Sequence, residues 1–183
     1  MDRALPSGGR SRGFESLPAR LAIVSDTHLP RGRRALPDAC VERLAAADAI
    51  LHAGDFMELS VYAGLCELGP PVWAVRGNVD SAELQARLPL ARVVSVGGAR
   101  FGMVHDAGPA ERRLARMRTR FPDADVVVFG HSHLPLLQWS DDGRFAIFNP
   151  GSPTERRRAP FHTMGEAVVD GGGRVELSLI RLA

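Results

Sequence analysis

The chain has 183 residues and a net charge of +2, and 24% of its residues are charged and 45% hydrophobic. These values are typical of one globular domain, and no apolar stretch approaches the roughly 18 residues that a membrane-spanning helix needs. The small net charge does not indicate a nucleic-acid partner, although it leaves a nucleic-acid substrate open. The composition therefore predicts a compact enzyme or binding protein without membrane association.

All the positive charge comes from arginine, and the absence of lysine is typical of a GC-rich bacterial genome. Cys40 and Cys66 are isolated thiols without the spacing of a metal or redox pair, which indicates a reducing compartment. Residues 1–19 contain Arg, Ser, Gly and Pro but no apolar signal-peptide core, so we expect a flexible tail. The predicted location is cytoplasmic.

Short apolar strands and helical patterns alternate through the first half of the single domain that we predict over residues 20–183. Strands are predicted at residues 21–25, 49–52 and 72–75. Helices are predicted at residues 38–47, 58–68 and 81–88, the last with Ser81 as its cap. This β-α-β-α-β order indicates parallel strands joined by right-handed crossovers.

The second half of the chain is predicted to contain more antiparallel strands. Residues 92–96 and 100–104 flank Gly97-Gly98 and indicate a hairpin, which is followed by a helix at residues 110–121. Further strands are predicted at residues 125–129, 136–140, 144–148, 166–169 and 175–182. We find no internal repeat, and we expect an α/β fold, a mixed-sheet β-sandwich flanked by helices.

Seven residues with metal-binding side chains follow the ends of these strands. They are Asp26, His28, Asp55, Asn78, His105, His131 and His133. Because the carboxyl ends of strands in an open α/β sheet meet at one edge, we expect these distant residues to be neighbours in space. Two carboxylates, one amide and four imidazoles are enough ligands for two divalent cations. Such pairs of cations mostly catalyse the hydrolysis of phosphate esters or peptides.

The ligand types also suggest how the cations are shared. Asp55 is the natural bridge, because a carboxylate can share its two oxygens between two cations. Asp26 and His28 are two residues apart, so an extended backbone would direct both side chains to one cation. His131 and His133 have the same spacing, and each can serve a different ion. Asn78 adds a neutral oxygen ligand that does not lower the positive charge of the site.

These motifs resemble those of the calcineurin-like metallophosphoesterases, and specifically of their small bacterial and archaeal phosphodiesterases. The matching segments are Asp26-x-His28, Gly54-Asp55, Gly77-Asn78-x-Asp80, His105, Gly130-His131-Ser132-His133 and Asn149-Pro150-Gly151-Ser152. The resemblance implies a four-layer α/β/β/α fold with two metal sites. It assigns the first metal to Asp26, His28, Asp55 and His133, and the second to Asp55, Asn78, His105 and His131.

The charge of the predicted site fits a phosphodiester. Two divalent cations against two carboxylates leave two positive charges, and a metal-bridging hydroxide as the nucleophile lowers this surplus to one. That surplus matches the single negative charge of a diester. Histidine, carboxylate and amide ligands without thiolate favour Mn²⁺, Fe²⁺, Co²⁺ or Zn²⁺, and Ni²⁺ is compatible with them. We expect Mn²⁺ to support activity in vitro.

Three positions next to the ligands need their own interpretation. Many phosphatases of the family carry a histidine after the asparagine, where it helps to protonate the leaving group; this chain has Val79 there, like the smaller phosphodiesterases that lack the histidine. Asp80 is interpreted either as a catalytic acid or orienting residue, or as a turn residue bonded to local backbone. Asp106 stands where the family usually has glycine, and we expect it to hydrogen-bond to or crowd the second metal. The predicted catalytic residues are Asp55, Asn78, His105 and Asp80.

Two arginine clusters follow ligand-bearing loops. Arg31 and Arg33 follow Asp26 and His28, whereas Arg156 and Arg157 follow the Asn149-Pro150-Gly151-Ser152 motif. If the loops fold over the metals, these four arginines are candidate substrate-binding residues, and solvated loop charge is the alternative. His52 lies three residues before Asp55, and we interpret it as a structural or supporting residue in preference to a ligand.

Three functions are open at this point. The leading one is a dinuclear metal-dependent phosphodiesterase for a small or nucleotide-like phosphodiester. The second is a phosphomonoesterase or nuclease that uses the same site. The third is a protein-binding scaffold, because the family is similar to a retromer subunit that keeps the fold with a degraded metal site. The intact ligand set argues against this third function, and a homo-oligomer is compatible with the sequence.

Overall fold

The structure, a computed structural model, describes residues 17–182. Residues 1–16 of the predicted tail lie outside this range, and the last tail residue, Ala19, already belongs to the first strand. None of the helices within residues 17–182 has the length and apolar character needed to cross a membrane. The thiols of Cys40 and Cys66 are both free, as the sequence predicts.

Ten strands and four helices make up the regular structure of residues 17–182. In chain order they are β1 (Ala19–Val24), α1 (Asp38–Ala45), β2 (Ala49–His52), α2 (Leu59–Cys66), β3 (Val72–Ala74), α3 (Ala82–Arg87), β4 (Ala91–Val96), β5 (Ala99–Val104), α4 (Arg113–Arg120), β6 (Val126–Val128), β7 (Leu136–Trp139), β8 (Ala146–Asn149), β9 (His162–Val169) and β10 (Val175–Leu182). Each predicted element is present close to its predicted position.

The strands form two five-stranded mixed sheets. The first has the order β10-β9-β1-β2-β3, and its strands β1, β2 and β3 are parallel as the β-α-β-α-β pattern predicts. The second has the order β4-β5-β6-β8-β7, in which β5, β6 and β8 are parallel and β4-β5 is the predicted hairpin. Val24 is paired with His52, the last residue of β2, so the loops after β1 and β2 start at the same edge of the sheet.

The two sheets pack face to face, and helices cover their outer faces. In β1, Leu21 and Ile23 pack between the sheets, whereas the alternate residue Ala22 packs in a cluster with Leu44 of α1. Helices α2 and α3 contribute to the same outer cluster, and Met117 of α4 packs on the outer face of the second sheet. The resulting α/β/β/α order of layers confirms the predicted fold class.

Most bounds agree with the prediction to within two residues, and the two larger differences have physical reasons. The helix predicted from residue 110 begins at Arg113, because Arg112 has a left-handed φ of 52° that interrupts the helical backbone. Strand β9 begins at His162, four residues before its predicted start, since its first residues pair with the last residues of β10. Pairing between strands therefore extends β9 beyond its local apolar pattern.

Candidate metal centre

The loops that carry the seven predicted ligands meet at one edge of the sandwich. The loops after β1, β2 and β3 leave the first sheet, and those after β5 and β6 leave the second. Backbone hydrogen bonds join these loops: Asp26 N–H donates to Gly54 O at 2.9 Å, and Gly130 N–H donates to His105 O at 2.9 Å. The strand ends thus bring together residues that are far apart in the sequence, as predicted.

Within residues 17–182, two groups of metal-binding atoms lie at this edge, and in each group the atoms lie within 4.8 Å of one another. The first ligand group is Asp26, His28 and His133, and the second ligand group is Asp55, His105 and His131. The first group is buried throughout, whereas His131 opens the second group to solvent. His131 and His133 therefore lie in different groups, and that they serve different ions stays a prediction.

Asp55 lies between the two ligand groups. Its Oδ2 atom is 3.2 Å from His105 Nε2 and 3.5 Å from His28 Nε2, so one carboxylate oxygen faces a histidine of each group. Its other oxygen, Oδ1, accepts a hydrogen bond from Val79 N–H at 3.1 Å, which fixes the rotation of the carboxylate. This is the position that a bridging carboxylate needs.

Asn78 adds an amide oxygen to the second ligand group. Its Oδ1 atom lies 3.0 Å from His105 Nε2 and 2.9 Å from His131 Nδ1. With Asn78 included, the structure brings all seven predicted ligands together at one edge.

The histidine rings are held so that their ligand nitrogens keep a lone pair. His105 Nδ1 lies 2.8 Å from Ala53 O, and His133 Nδ1 contacts Glu155 O. In both cases the carbonyl accepts a hydrogen bond from Nδ1–H, which leaves Nε2 free to bind a cation. His133 Nε2 then faces His28 Nε2 at 3.1 Å inside the protein. Buried lone pairs directed at each other fit a divalent cation, so the residues present suit the metals that the ligand types predict.

The ligand loops adopt left-handed backbone conformations. The φ angles of Asp26, His28 and Asp55 are 57°, 43° and 62°, and those of His131 and His133 are 69° and 58°. The prediction that Asp26 and His28 lie on an extended backbone is wrong, because the chain turns at both residues to direct them inward. Such non-glycine conformations cost about 1–3 kcal/mol each and persist only where surrounding contacts fix them.

Both carboxylates of the site are held in their anionic form. Burial alone would raise the pKa of Asp26, but the imidazoles of His133 and His28, whose Nε2 atoms lie 3.3 Å and 3.8 Å from Asp26 Oδ1, outweigh it and hold that pKa well below its usual range. Burial would also raise the pKa of Asp55, but the contact of its carboxylate with His105 outweighs burial and lowers the pKa overall. Burial lowers the pKa of His105, but its bond with Asp55 raises it overall. The two carboxylates therefore supply the negative charge that cations require.

Two glycines allow the backbone to pass directly against these carboxylates. A Cβ atom on Gly77 would overlap Asp55 Oδ1, and one on Gly130 would overlap Ser25 Oγ and approach Asp26 Oδ2. The residue after Gly130, His131, donates its N–H to Asp26 Oδ2 at 3.0 Å. The close approach explains why glycine precedes both Asn78 and His131 in the sequence.

Asp80, one of the predicted catalytic residues, joins its own loop to the loop after β2 through backbone N–H groups. Its carboxylate accepts hydrogen bonds from Gly77 N–H at 2.7 Å, from Met57 N–H at 2.9 Å and from Asp55 N–H at 3.3 Å. Of the two interpretations of Asp80, these contacts match a residue bonded to backbone N–H groups. The bonds reach beyond the local turn to the loop after β2. Through them, Asp80 positions Asp55.

His52 supports the loop that carries Asp55 from behind. Gly54 N–H donates to His52 Nδ1 at 3.1 Å, so Nε2 carries the proton and donates to Thr27 Oγ1 at 3.2 Å. The ring also stacks on Phe56, with ring centroids 3.5 Å apart. Burial lowers the pKa of His52 to about 3, which keeps the ring neutral. His52 thus has the supporting role that the sequence interpretation favours.

The Asn149-Pro150-Gly151-Ser152 motif ties the loops of the first ligand group together. Ser152 Oγ donates to Asp26 O at 2.7 Å, and Asn149 Nδ2 donates to Gly130 O at 3.0 Å. Thr154 Oγ1 extends this clamp by donating to Thr27 O. The motif is visible in the sequence, but these roles depend on contacts between residues that are far apart in the chain.

The four candidate substrate-binding arginines lie in different places. Arg31 Nη1 is 3.5 Å from Glu155 Oε1, beside the first ligand group, and Arg157 Nη1 is 3.5 Å from the carbonyl oxygen of His131. Arg156 instead donates to Pro160 O at 3.0 Å, and Arg33 is exposed. Glu155 is a site residue that the motifs do not identify.

Asp106 and Val79 both lie at the open side of the site. Asp106 is exposed and accepts a hydrogen bond from Gly108 N–H at 2.7 Å, so its carboxylate caps its own loop. The effect of Asp106 on the second metal stays a prediction. Val79 is 43% exposed and presents an apolar surface directly after Asn78.

Comparison with known proteins agrees with this geometry. The calcineurin-like phosphoesterase superfamily domain matches residues 20–170. A probable metallophosphoesterase of Methanothermobacter thermautotrophicus is 31% identical over 141 residues, which cover 75% of this chain and 78% of the relative. A phosphodiesterase of Methanocaldococcus jannaschii is 26% identical over 145 residues, which cover 72% of this chain and 82% of the relative.

Among solved structures, vacuolar protein sorting 29 of Cryptosporidium parvum superposes with a TM-score of 0.74 at 20% identity, covering 92% of this chain and all of that one. At this identity the likeness shows the fold alone. Both relatives named above are archaeal, so a bacterial origin stays a prediction. The chain belongs to the calcineurin-like phosphoesterase superfamily and is a metal-dependent phosphoric ester hydrolase.

Proposed function

We propose that the chain is a phosphodiesterase that uses two divalent cations to hydrolyse a small or nucleotide-like phosphodiester. The observation that carries this proposal is the position of Asp55 Oδ2, which faces His28 of the first ligand group and His105 of the second. The first cation would be held by Asp26, His28, Asp55 and His133, and the second by Asp55, Asn78, His105 and His131. When bound, the pair supplies an activated water as nucleophile and positive charge against the phosphoryl oxygens.

The residues of the chain set the charge and the direction of approach. Asp26 and Asp55 are the two carboxylates in the ligand groups, so two divalent cations leave a positive surplus that suits a singly charged diester. The first group is enclosed by protein, whereas His131 and Asn78 are exposed. A substrate therefore approaches from the side of the second group.

The residue after Asn78 supports a diester over a monoester. Val79 is exposed at the position where a histidine would protonate a leaving group, and its side chain carries no proton. General acid help is worth about 10²- to 10⁴-fold in rate, so the site suits esters whose leaving groups depart without it. Monoesters also carry nearly two negative charges, which exceed the surplus positive charge of the site.

The donor set supports a borderline divalent metal. Imidazole, carboxylate and amide donors without thiolate suit Mn²⁺, Fe²⁺, Co²⁺, Ni²⁺ and Zn²⁺. We propose Mn²⁺ as the metal that supports activity in vitro.

The proposal is tested by metal removal and a panel of substrates. Chelator-treated protein should lose hydrolysis of bis-p-nitrophenyl phosphate and regain it with Mn²⁺, with about two metal ions bound per chain. The reconstituted protein is then assayed in parallel on p-nitrophenyl phosphate, cyclic nucleotides and single-stranded DNA. Activity that survives complete metal removal contradicts the mechanism. Faster hydrolysis of the monoester or of DNA assigns the same site to a phosphomonoesterase or a nuclease.

A further inference from the structure

Glu155 places a third carboxylate beside the first ligand group. Its Oε2 atom lies 3.9 Å from His28 Nε2, the nitrogen that faces the other ligands. The backbone of Glu155 is fixed on both sides, because its N–H donates to Ser152 Oγ at 2.8 Å and its carbonyl accepts from His133. The side chain is only 20% exposed. The carboxylate therefore has a defined position at the rim of the site.

Two arginines converge on this carboxylate. Arg31 Nη1 lies 3.5 Å from Oε1, and Arg34 Nη1 lies 3.6 Å from Oε2 of Glu155. Both separations exceed the roughly 2.7–2.9 Å of a strong charge-assisted hydrogen bond. Arg34 Nη1 is moreover buried and has no hydrogen-bond acceptor among residues 17–182. Both guanidinium groups thus keep donors close to Glu155 that its carboxylate does not fully use.

A phosphate group that enters from the open side and reaches both cations would meet these donors and the carboxylate at the rim of the first ligand group. Guanidinium groups bind phosphate oxygens well, because their planar fork of donors matches the oxygen geometry. Glu155 competes for the same donors, and its negative charge repels an anion in proportion to the charge of that anion. The repulsion is therefore larger for a phosphate with two negative charges than for a diester with one.

We propose that Glu155 sets the charge preference of the site: it holds Arg31 and Arg34, and it disfavours doubly charged phosphates relative to singly charged diesters. The proposal rests on the phosphodiesterase function proposed above and assigns its substrate class to a particular residue. Glu155 acts here on the binding of the substrate, whereas Val79 concerns the departure of the leaving group.

The test compares Glu155→Gln with Glu176→Gln, which makes the same charge change at an exposed residue of β10. Dissociation constants are measured by calorimetry on the Mn²⁺-loaded proteins for inorganic phosphate at pH 8 and for dimethyl phosphate, with metal content determined for each sample. In Glu155→Gln, phosphate should bind about fivefold more tightly, the scale of a partly exposed ion pair, and dimethyl phosphate should change less than about twofold. Glu176→Gln should leave both constants unchanged.

A double variant identifies the donors. Adding Arg34→Gln to Glu155→Gln should abolish the gain in phosphate affinity, because the released donors are then missing. Equal phosphate affinity in wild type and Glu155→Gln at equal metal content overturns the proposal. A loss of bound metal in Glu155→Gln also overturns it, since Glu155 would then be a ligand. Failure of the phosphodiesterase function is read separately, from the absence of Mn²⁺-dependent diester hydrolysis in the wild type.

Discussion

The two ligand groups are built from the same residue types but differ in their exposure to solvent. Asp26, His28 and His133 are buried beneath the clamp formed by Asn149 and Ser152. The second group also has a buried part, Asp55 and His105, but it opens to solvent where His131 and Asn78 are exposed. Asp55 connects the enclosed group to the open one. The difference indicates a division of roles, in which the enclosed group retains its cation and the open group receives the substrate.

Asp55 should give the largest effect, because its carboxylate faces both the enclosed ligand group and the open one. Asp55→Ala should remove the shared ligand and lower kcat/KM for a diester by about 10³-fold or more, since several kcal/mol of transition-state stabilisation depend on the cations. Metal analysis of the purified variant should show well below two ions per chain. The control is Glu176→Ala, which removes an exposed carboxylate of β10. A metal content near two in Asp55→Ala would show that the bridge is misassigned.

A change at Asn78 distinguishes the two cation sites, because Asn78 contacts histidines of the second group only. The Oδ1 atom of Asn78 faces His105 and His131. Asn78→Ala should therefore lower the affinity for the second cation about 10- to 100-fold and leave the affinity for the first cation unchanged. Asp26→Asn provides the reverse case, with a selective loss at the enclosed group. Both are measured as bound metal against free Mn²⁺. Equal loss of both ions in Asn78→Ala would contradict the division between the groups.

Val79 tests whether the open side determines the reaction class. Its side chain is 43% exposed, and its N–H already bonds to Asp55 Oδ1, so a histidine fits there without a change of backbone. Val79→His should raise monoesterase relative to diesterase activity about tenfold, at the low end of general acid catalysis because the new imidazole is not oriented. The readout is kcat/KM for p-nitrophenyl phosphate and its bis-ester.

Val79→Gln is the matched control, because it adds a polar side chain that cannot donate a titrating proton. It should leave the ratio of the two activities unchanged. If the wild type already hydrolyses alkyl monoesters faster than diesters, the charge argument fails and the phosphomonoesterase assignment takes its place.

The ligands could be predicted from the sequence because each follows a strand with a strong apolar pattern. Asp55 and Asn78, for example, lie in the loops that begin at the ends of β2 and β3, and parallel pairing brings such loops to one edge. The left-handed conformation of Asp26 could not be predicted in this way. It depends on hydrogen bonds from Ser152 and His131, which are more than 100 residues away in the chain.

The contacts of Glu155 and Asp80 could not be predicted from local sequence patterns either. Nothing in the local pattern around Glu155 indicates that its carboxylate lies beside His28, because the contact exists only after the two sheets have packed. Asp80 is recognisable in the sequence as an acidic residue of a motif, but two of its three backbone donors come from another loop, the one after β2. Strand ends are a local property of the sequence, whereas the contacts that hold the ligands are set by tertiary structure.

The smallest predicted effect is the contribution of His52 to the pH dependence of stability. His52 is buried and neutral, with a pKa lowered from 6.5 to about 3 by burial. The unfolded chain therefore binds a proton that the folded protein excludes, so stability rises with pH between about 3 and 6.5 and is lost as the pH falls through this range. Between pH 7 and pH 5.5 this one residue should lower the free energy of unfolding by about 1.3 kcal/mol.

Urea unfolding of the chelated protein at these two pH values measures this contribution. His52→Gln should be less stable at pH 7, by about 1–3 kcal/mol, because Gly54 N–H loses its acceptor, yet its stability should fall less on acidification than that of the wild type. Phe56→Leu serves as the control, since it removes the stacking partner of His52 and keeps the titrating ring. Its stability should be lower at both pH values with the slope of the wild type. Equal slopes in wild type and His52→Gln would mean that His52 does not remain neutral, and that the loop before Asp55 is held by other contacts.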